Sequence, residues 1–386
     1  VPARNLVFLI DVSGSMASPD KLPLLKSGLE LLVRQLRPED RLAMVVYAGS
    51  SGLVLDSTSG DRQHEILAAL ERLSAGGSTH GSAGIELAYQ VAQRNFTKGG
   101  INRVILATDG DFNVGTTNQS ELQRLIERKR ETGVFLTVLG FGRGNLQDST
   151  MELLADKGNG NYAYIDSMRE AQKVLVREAG STLVTVAKDV KLQVEFNPAR
   201  VASYRLVGYE NRVLASRDFN DDTKDAGEMG AGHTVTALYE IVPKDSGAEP
   251  AGTTPEVDAL RYQTPRALAP AGSTEEALTV KVRYKTPTGN RSEVASFPVP
   301  DRWVPISDTT EAFQWSAAVA GFAQWLRRSP FKGKATLAEL RALAARAQGK
   351  DPHGDRRELV SLMDRAGDLA ARFPSDGPPV SGSVAW

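Results

Sequence analysis

Residues 6–165 alternate short apolar runs with helical patterns, and this alternation restricts the fold more than any other feature of the chain. The run over residues 6–10 is continuously apolar, as expected for a strand covered on both faces. Leucines then recur at helical spacing from Leu22 to Leu36, and the alternation continues to a last strand near Tyr162. Such an order predicts an α/β fold over residues 1–180, a doubly wound, mostly parallel sheet with helices on both faces.

The pattern changes near Gly180. Five stretches with period-2 alternation follow with no helical pattern between them, over residues 190–196, 201–209, 234–242, 278–284 and 293–297. They predict an antiparallel β-sandwich-like domain over residues 181–305, with a mobile insertion over 243–276 that is rich in Pro, Gly, Ser and Thr. Three apolar helical stripes then predict a helical tail over residues 306–374, and residues 375–386 are expected to be flexible.

Composition excludes several classes of site and partner. The 46 Lys and Arg residues nearly cancel the 47 Asp and Glu residues, so no net charge favours nucleic acid. The chain has no cysteine, which removes disulfides, zinc–thiolate sites, iron–sulfur clusters and cysteine nucleophiles. No apolar run reaches the roughly 20 residues of a membrane span. We expect a periplasmic or cell-envelope location if an upstream signal or anchor has been removed, and a cytoplasmic one otherwise.

Three polar clusters fall at the carboxyl ends of predicted strands or just before a helix. Asp11, Ser13 and Ser15 follow the first strand, a glycine-rich loop covers residues 75–82, and Asp109 follows the strand that ends at Ala107. Ligands of open α/β sheets gather at such ends, where the strand order reverses. Carboxylates and hydroxyls suit a hard divalent cation, Mg²⁺ first and then Mn²⁺ or Ca²⁺. The sequence therefore predicts a metal site at this edge.

These residues resemble the metal-ion-dependent adhesion site of von Willebrand factor A domains, which combines D-x-S-x-S, a distant threonine and T-D-G. The resemblance covers residues 3–180 and implies a five-residue ligand set of Asp11, Ser13, Ser15, Thr79 and Asp109. It also implies one open coordination position for a carboxylate of a partner protein. The stretches ATDGDFNVG (107–115) and TALYEIVP (236–243) further resemble bacterial YfbK-like proteins of this family, whose C-terminal region has no known function.

Three alternatives compete with this interpretation. Ser13 and Ser15 could simply cap the following helix while Asp11 accepts loop amides. A Mg²⁺-dependent enzyme acting on nucleotides or phosphoesters is a second alternative, but no G-x-G-x-x-G or phosphate loop follows the first strand. The third alternative is a structural scaffold with a vestigial site.

Serine hydrolysis is disfavoured, because no G-x-S-x-G elbow is present and only four histidines occur. The sequence thus predicts a non-enzymatic, divalent-cation-dependent adhesion or scaffold module, with no catalytic residue and no organic cofactor. Its predicted partner is another protein that supplies an acidic side chain.

Weaker candidates lie near the predicted site and in the second half of the chain. Asp111 and Asn113 could extend the site or bind a second ion, although a solvated turn is the favoured interpretation. His80 is interpreted as an exposed loop residue rather than a partner contact. The acidic run over residues 218–225 lacks a recognisable calcium-ligand spacing and is interpreted as a solvated loop.

Overall fold

The computed structural model describes residues 2–77, 81–110, 119–142, 147–178, 184–208, 213–222, 226–244, 275–287, 289 and 291–372. Thr79, His80, Asp111 and Asn113 lie outside these ranges, and so do nearly all of the predicted insertion and the C-terminal segment predicted to be flexible. The chain divides into two compact units. The first joins Val1–Lys191, Asp222–Thr234 and Arg283–Glu293, and the second joins Leu192–Asp221, Val235–Val282 and Val294–Trp386.

The first unit contains a six-stranded sheet with the order β3-β2-β1-β4-β5-β6. Its strands are β1 (Arg4–Asp11), β2 (Arg41–Tyr47), β3 (Ser51–Ser59), β4 (Ile101–Thr108), β5 (Phe135–Phe141) and β6 (Tyr162–Ile165). Its helices are α1 (Leu22–Val33), α2 (Gln63–Glu71), α3 (Gly81–Arg94), α4 (Gln119–Arg130), α5 (Asp148–Lys157) and α6 (Met168–Gln172), and α6 continues into a π-helical turn over Lys173–Arg177.

Burial explains why β1 lies at the centre of this sheet. Its apolar side chains from Leu6 to Ile10 are fully buried, and β1 pairs in parallel with both β2 and β4. Side chains of α1 and α2 cover one face of the sheet, and side chains of α3, α4 and α5 cover the other. The predicted doubly wound, mostly parallel sheet is therefore confirmed.

Strand β3 is longer than the sequence pattern indicated. The apolar pattern predicted a short strand over residues 53–55, whereas β3 spans Ser51–Ser59 and runs antiparallel to β2. As an edge strand it leaves several side chains partly exposed, and its Ser and Thr residues fall outside an apolar pattern.

The described residues of the second half of the chain form two further sheets and three α-helices. Strands β7 (Thr185–Phe196), β8 (Val201–Val207), β9 (Gly227–Gly230), β10 (Leu238–Pro243), β11 (Glu276–Lys285) and β12 (Ser292–Pro300) form sheets of order β12-β11-β7-β9 and β10-β8. The pairs β7–β9 and β8–β10 are antiparallel, so the predicted antiparallel character of this region is confirmed. The sandwich arrangement stays a prediction. Strand β9 was not predicted, because four residues of sequence GEMG show no apolar alternation.

Helices α7 (Glu311–Leu326), α8 (Leu337–Arg346) and α9 (Asp355–Arg372) follow the last strand. They pack around a small apolar core that includes Phe322, Ala344 and Met363, and Thr336 begins α8 with a capping box to Glu339. A helical tail is thus present as predicted, while the exact domain boundaries at residues 180, 305 and 374 stay predictions. Within the described residues, no helix combines the length and apolarity that a membrane crossing needs.

Candidate metal centre

The predicted site lies where strands β1 and β4 end side by side. Ile10 and Ala107 are paired in the parallel register, so the residues that follow them, Asp11 and Thr108–Asp109, meet at the carboxyl edge of the sheet. The strand order reverses between β1 and β4, since β2 and β3 lie on one side of β1 and β5 and β6 lie beyond β4. The expected convergence of the first and third polar clusters is therefore present.

Asp11 is fully buried and accepts hydrogen bonds from neutral groups. Its Oδ1 accepts from the backbone N–H of Ser13 at 2.9 Å. Its Oδ2 accepts from the Tyr47 hydroxyl and from the Thr108 hydroxyl, each at 3.1 Å. These donors fix the orientation of the carboxylate without cancelling its charge.

The electrostatic surroundings raise the pKa of Asp11 above its ordinary value. Burial is the largest cause, and the nearby Asp109 carboxylate raises the pKa further, whereas the hydrogen bonds from Ser13 and Thr108 lower it. The protein thus holds two mutually repelling carboxylates in a poorly hydrated place. An added cation would offset both the burial of the negative charge and the repulsion between the two carboxylates.

Ser13 and Ser15 continue the site from the buried edge toward solvent. Their Oγ atoms lie 3.0 Å apart, Ser13 is buried, and Ser15 is exposed in the 3₁₀ turn Gly14–Ala17. Ser13 stands at the N-cap of this turn, but its side chain makes no capping hydrogen bond. The hydroxyls are therefore not used as simple helix caps.

Two backbone hydrogen bonds tie the loop before Thr79 to the loop after β1. The N–H of Gly14 donates to the carbonyl of Gly77 at 3.1 Å, and the N–H of Gly76 donates to the carbonyl of Val12 at 2.8 Å. Gly77 has φ of +86°, a left-handed conformation that a side chain would strain. The chain two residues before Thr79 is thereby fixed beside D-x-S-x-S, while Thr79 itself lies outside the described residues.

Asp109 is fully buried and forms an ion pair with Lys21. The Lys21 Nζ lies 2.8 Å from Asp109 Oδ2, and only 10% of the lysine side chain is exposed. Lys21 directly precedes α1, so the loop that carries the two serines also delivers this ammonium group.

The donors at this edge fit a hard divalent cation. The described part of the site offers two carboxylates and two hydroxyls, with no nitrogen or sulfur donor required. No group of three or more His, Cys, Asp or Glu residues that could hold a metal occurs among the described residues. In the predicted ligand set, hydroxyls would share the coordination with the two carboxylates.

Three residues that the sequence analysis missed complete the surroundings of the two carboxylates. Tyr47 ends the apolar run of a predicted strand over residues 42–47, and Thr108 is present only as part of T-D-G. Lys21 carries no sequence signal, because its partner Asp109 is 88 positions away in the chain. Of the predicted ligands, Asp11, Ser13, Ser15 and Asp109 lie at this edge, and the five-residue set itself stays a prediction.

In the weaker acidic candidate, Asp222 forms an ion pair with Arg283. Asp222 accepts hydrogen bonds from Arg283 at 2.9 and 3.2 Å and from the Ser292 hydroxyl, and these donors lower the pKa of Asp222 to about 2. Asp225 lies outside the described residues. Asp222 is thus occupied with a cationic and a hydroxyl partner.

Sequence comparisons identify the two parts of the chain. Residues 5–177 match the family described as von Willebrand factor type A domain, and residues 181–369 match the family described as uncharacterized protein YfbK, C-terminal. The uncharacterized protein YfbK of Escherichia coli (strain K12) is 46% identical over 366 residues, which cover 95% of this chain and 62% of that protein. Human inter-alpha-trypsin inhibitor heavy chain H4 is 29% identical over 149 residues, which cover 36% of this chain and 16% of that protein.

A solved structure described as von Willebrand factor type A from Catenulispora acidiphila is similar over 94% of this chain and 82% of its own. Its sequence identity to this chain is 18% and the TM-score is 0.48. The chain spans less than two thirds of the length of the curated relatives it matches. Residues 5–177 form a von Willebrand factor type A domain, and the chain resembles the YfbK-like proteins along most of its length.

Proposed function

We propose that this chain is a divalent-cation-dependent protein-binding module. Von Willebrand factor type A domains typically mediate protein–protein interactions. In the proposed mechanism Asp11, Ser13 and Ser15, together with Thr79 and Asp109, hold a Mg²⁺ ion at the carboxyl edge of the sheet. The bound ion would supply an open coordination position for a carboxylate of the partner protein.

The observation that carries this proposal is the excess of buried negative charge at the edge. Asp11 and Asp109 are both fully buried and repel each other, and the hydrogen bonds that reach Asp11 within the described chain come from neutral donors. Buried charges in proteins are normally paired or bound to a metal. Ser15, which lies within hydrogen-bond distance of Ser13, is exposed and thus gives an incoming ligand access.

The first experiment is isothermal titration calorimetry of the chain with MgCl₂ after treatment with EDTA. We expect one Mg²⁺ per chain and a higher unfolding temperature in Mg²⁺. At one hundred times the dissociation constant the ion would stabilise the native state by about 2.7 kcal/mol. Asp11→Ala is expected to abolish both effects. Asp61→Ala, which removes an exposed carboxylate in the turn before α2, is the matched control and should leave both unchanged.

The second experiment tests the partner chemistry with the immobilised chain and a peptide library in which each member has one glutamate. Retention in Mg²⁺ that is lost in EDTA, in Asp11→Ala and when glutamine replaces the glutamate would support the proposal. Retention that persists in EDTA would contradict it. Hydrolysis of a nucleotide or phosphoester that disappears in Asp109→Ala would favour the enzymatic alternative instead.

A further inference from the structure

Lys21 places a nearly buried ammonium group directly at the predicted metal centre. Its Nζ is 2.8 Å from Asp109 Oδ2, and the carboxylate that it contacts has no exposed surface. Lysine side chains usually extend so that the charged end reaches water. An ammonium held inside the protein is costly unless it is paired, so this position requires the partner that Asp109 provides.

The surrounding chain is shaped to keep the lysine stem in this position. Gly142 follows β5 with φ of +79°, and a Cβ added there would lie 2.3 Å from Lys21 Cε and 2.7 Å from its Cγ. The carbonyl of Gly142 in turn accepts a hydrogen bond from the Tyr164 hydroxyl at 3.0 Å. The stem of Lys21 therefore rests on backbone that only glycine allows and that β6 holds in place.

The sum of the charges at this edge indicates the role of the Lys21 ammonium group. Asp11 and Asp109 contribute two negative charges, and Lys21 offsets one of them. We propose that Lys21 is the built-in counter-ion of the metal centre: it stabilises Asp109 in the absence of a divalent cation and opposes binding of that cation, so it sets the affinity for the ion. This inference rests on the proposed function of the site.

The same charge has a second consequence once a divalent ion is bound. Two carboxylates facing an ion of charge +2 would neutralise it, whereas the additional ammonium leaves one net positive charge at the site. A positive site attracts a partner carboxylate more strongly than a neutral one does. Lys21 would thus lower the affinity of the site for the ion and strengthen its attraction of an acidic partner.

The test is calorimetric titration of MgCl₂ into the EDTA-treated chain and its variant Lys21→Met. Methionine keeps a long apolar stem beside Gly142 but removes the charge. We expect Lys21→Met to bind Mg²⁺ at least about tenfold more tightly, because a positive charge within a few ångströms of the ion is gone. Lys98→Met, which removes an exposed lysine before β4 at the opposite edge, should bind within about twofold of the wild type.

A thermal measurement separates this role from a purely structural one. If Lys21 only supported the fold, its loss would lower the unfolding temperature equally with and without Mg²⁺. We expect instead a lower unfolding temperature in EDTA and a larger increase on adding Mg²⁺ than the wild type shows. Lys21→Gln, which retains a hydrogen-bond donor without the charge, is the second variant in case Lys21→Met does not fold in EDTA, and the same direction is expected.

The outcomes distinguish this inference from the function on which it rests. If the wild type binds Mg²⁺ and the lysine variants bind it no more tightly, Lys21 is not a competing counter-ion and the proposed function stands. If neither the wild type nor a lysine variant binds Mg²⁺, both proposals are wrong. Tighter binding by Lys21→Met and Lys21→Gln, with Lys98→Met unchanged, supports the inference.

Discussion

The six-stranded sheet buries a carboxylate at the amino ends of its strands, the amino edge, and others at their carboxyl ends, the carboxyl edge. The partners of these carboxylates differ between the two edges. At the amino edge, Asp40 accepts hydrogen bonds from the backbone N–H groups of Arg4 and Arg37, at 3.0 and 2.9 Å, and pairs with the Arg37 guanidinium at 2.9 Å. At the carboxyl edge, Asp11 accepts from neutral donors and lies close to a second carboxylate. One edge pairs its buried carboxylate with a cation of the fold, and the other is the edge at which we propose a metal site.

The pKa values follow the same division. Burial alone would raise the pKa of Asp40, but the hydrogen bonds from the Arg37 side chain and backbone and from the Arg4 backbone lower it below its ordinary value. Burial is the largest influence on Asp11 as well, and there it raises the pKa, because the hydrogen-bond donors that reach Asp11 among the described residues are neutral. The two aspartates are fully buried to the same extent. Their different partners, a guanidinium and backbone N–H groups for Asp40 and neutral donors for Asp11, therefore contribute to the opposite directions of their pKa values.

The largest expected effect is at the amino edge. Asp40→Ala removes a buried carboxylate, leaves two backbone N–H groups without their acceptor and breaks the ion pair with Arg37, so it should lower the free energy of unfolding by about 3 kcal/mol. Urea denaturation in EDTA and in Mg²⁺ measures this change, which should be equal in both. The exposed Asp61→Ala should cost less than about 0.5 kcal/mol. If Asp40→Ala lowers the free energy of unfolding by less than about 1 kcal/mol, the Asp40 carboxylate does not stabilise the fold as proposed for the amino edge.

A smaller effect of opposite sign is expected at the carboxyl edge. Asp11→Asn keeps the shape of the side chain but removes its charge, which relieves the burial cost and the repulsion from Asp109. The amide oxygen can still accept the hydrogen bond from the Ser13 N–H, whereas an NH₂ group replaces the oxygen that accepts from the Tyr47 and Thr108 hydroxyls. We expect the free energy of unfolding in EDTA to increase by about 1 kcal/mol. Urea denaturation in EDTA is the measurement, and Asp40→Asn is the matched control that should be destabilised. If both asparagine variants are destabilised alike, the charge of Asp11 does not destabilise the fold and the prediction is wrong.

The smallest expected effect concerns pH at the amino edge. Because the pKa of Asp40 in the folded chain lies below the unfolded value of 3.8, its stabilisation is fully present above the unfolded value and is lost as the pH falls through the folded one. The stability difference between the wild type and Asp40→Asn should therefore be constant near pH 7 and shrink below about pH 4. Urea denaturation in EDTA from pH 7 to pH 3 measures it. A difference that grows on acidification would contradict the assigned direction.

The sequence predicts the carboxyl edge better than it predicts what surrounds it. Strand alternation and the position of Asp11 and Asp109 after buried strands are local signals, and they were enough to bring the two carboxylates together. The partners of those carboxylates depend on strand order and register. Tyr47 is opposite Asp11 only because β2 pairs with β1 in this register, and an apolar strand pattern does not reveal it.

The amino edge was not predicted at all, for a related reason. Asp40 is one aspartate in a polar turn, and its importance comes from complete burial between Arg37 and the first residue of β1. Burial of a polar side chain is a property of the assembled sheet, so local sequence cannot show it. The sequence pattern did not predict the full length of β3 or the presence of β9, because polar or glycine-rich strands lack the apolar alternation of the other strands.

The two backbone hydrogen bonds between the loops 12–14 and 76–77 determine which substitutions and insertions these loops tolerate. Because both of its hydrogen bonds join backbone atoms, most side-chain substitutions in these loops leave it intact, and only Gly77 is restricted by its own conformation. Surface loops usually accept an added residue at little cost. Here one inserted residue between Gly76 and Gly77 would shift one hydrogen bond out of register with the other. In this loop, length is therefore under stronger constraint than composition.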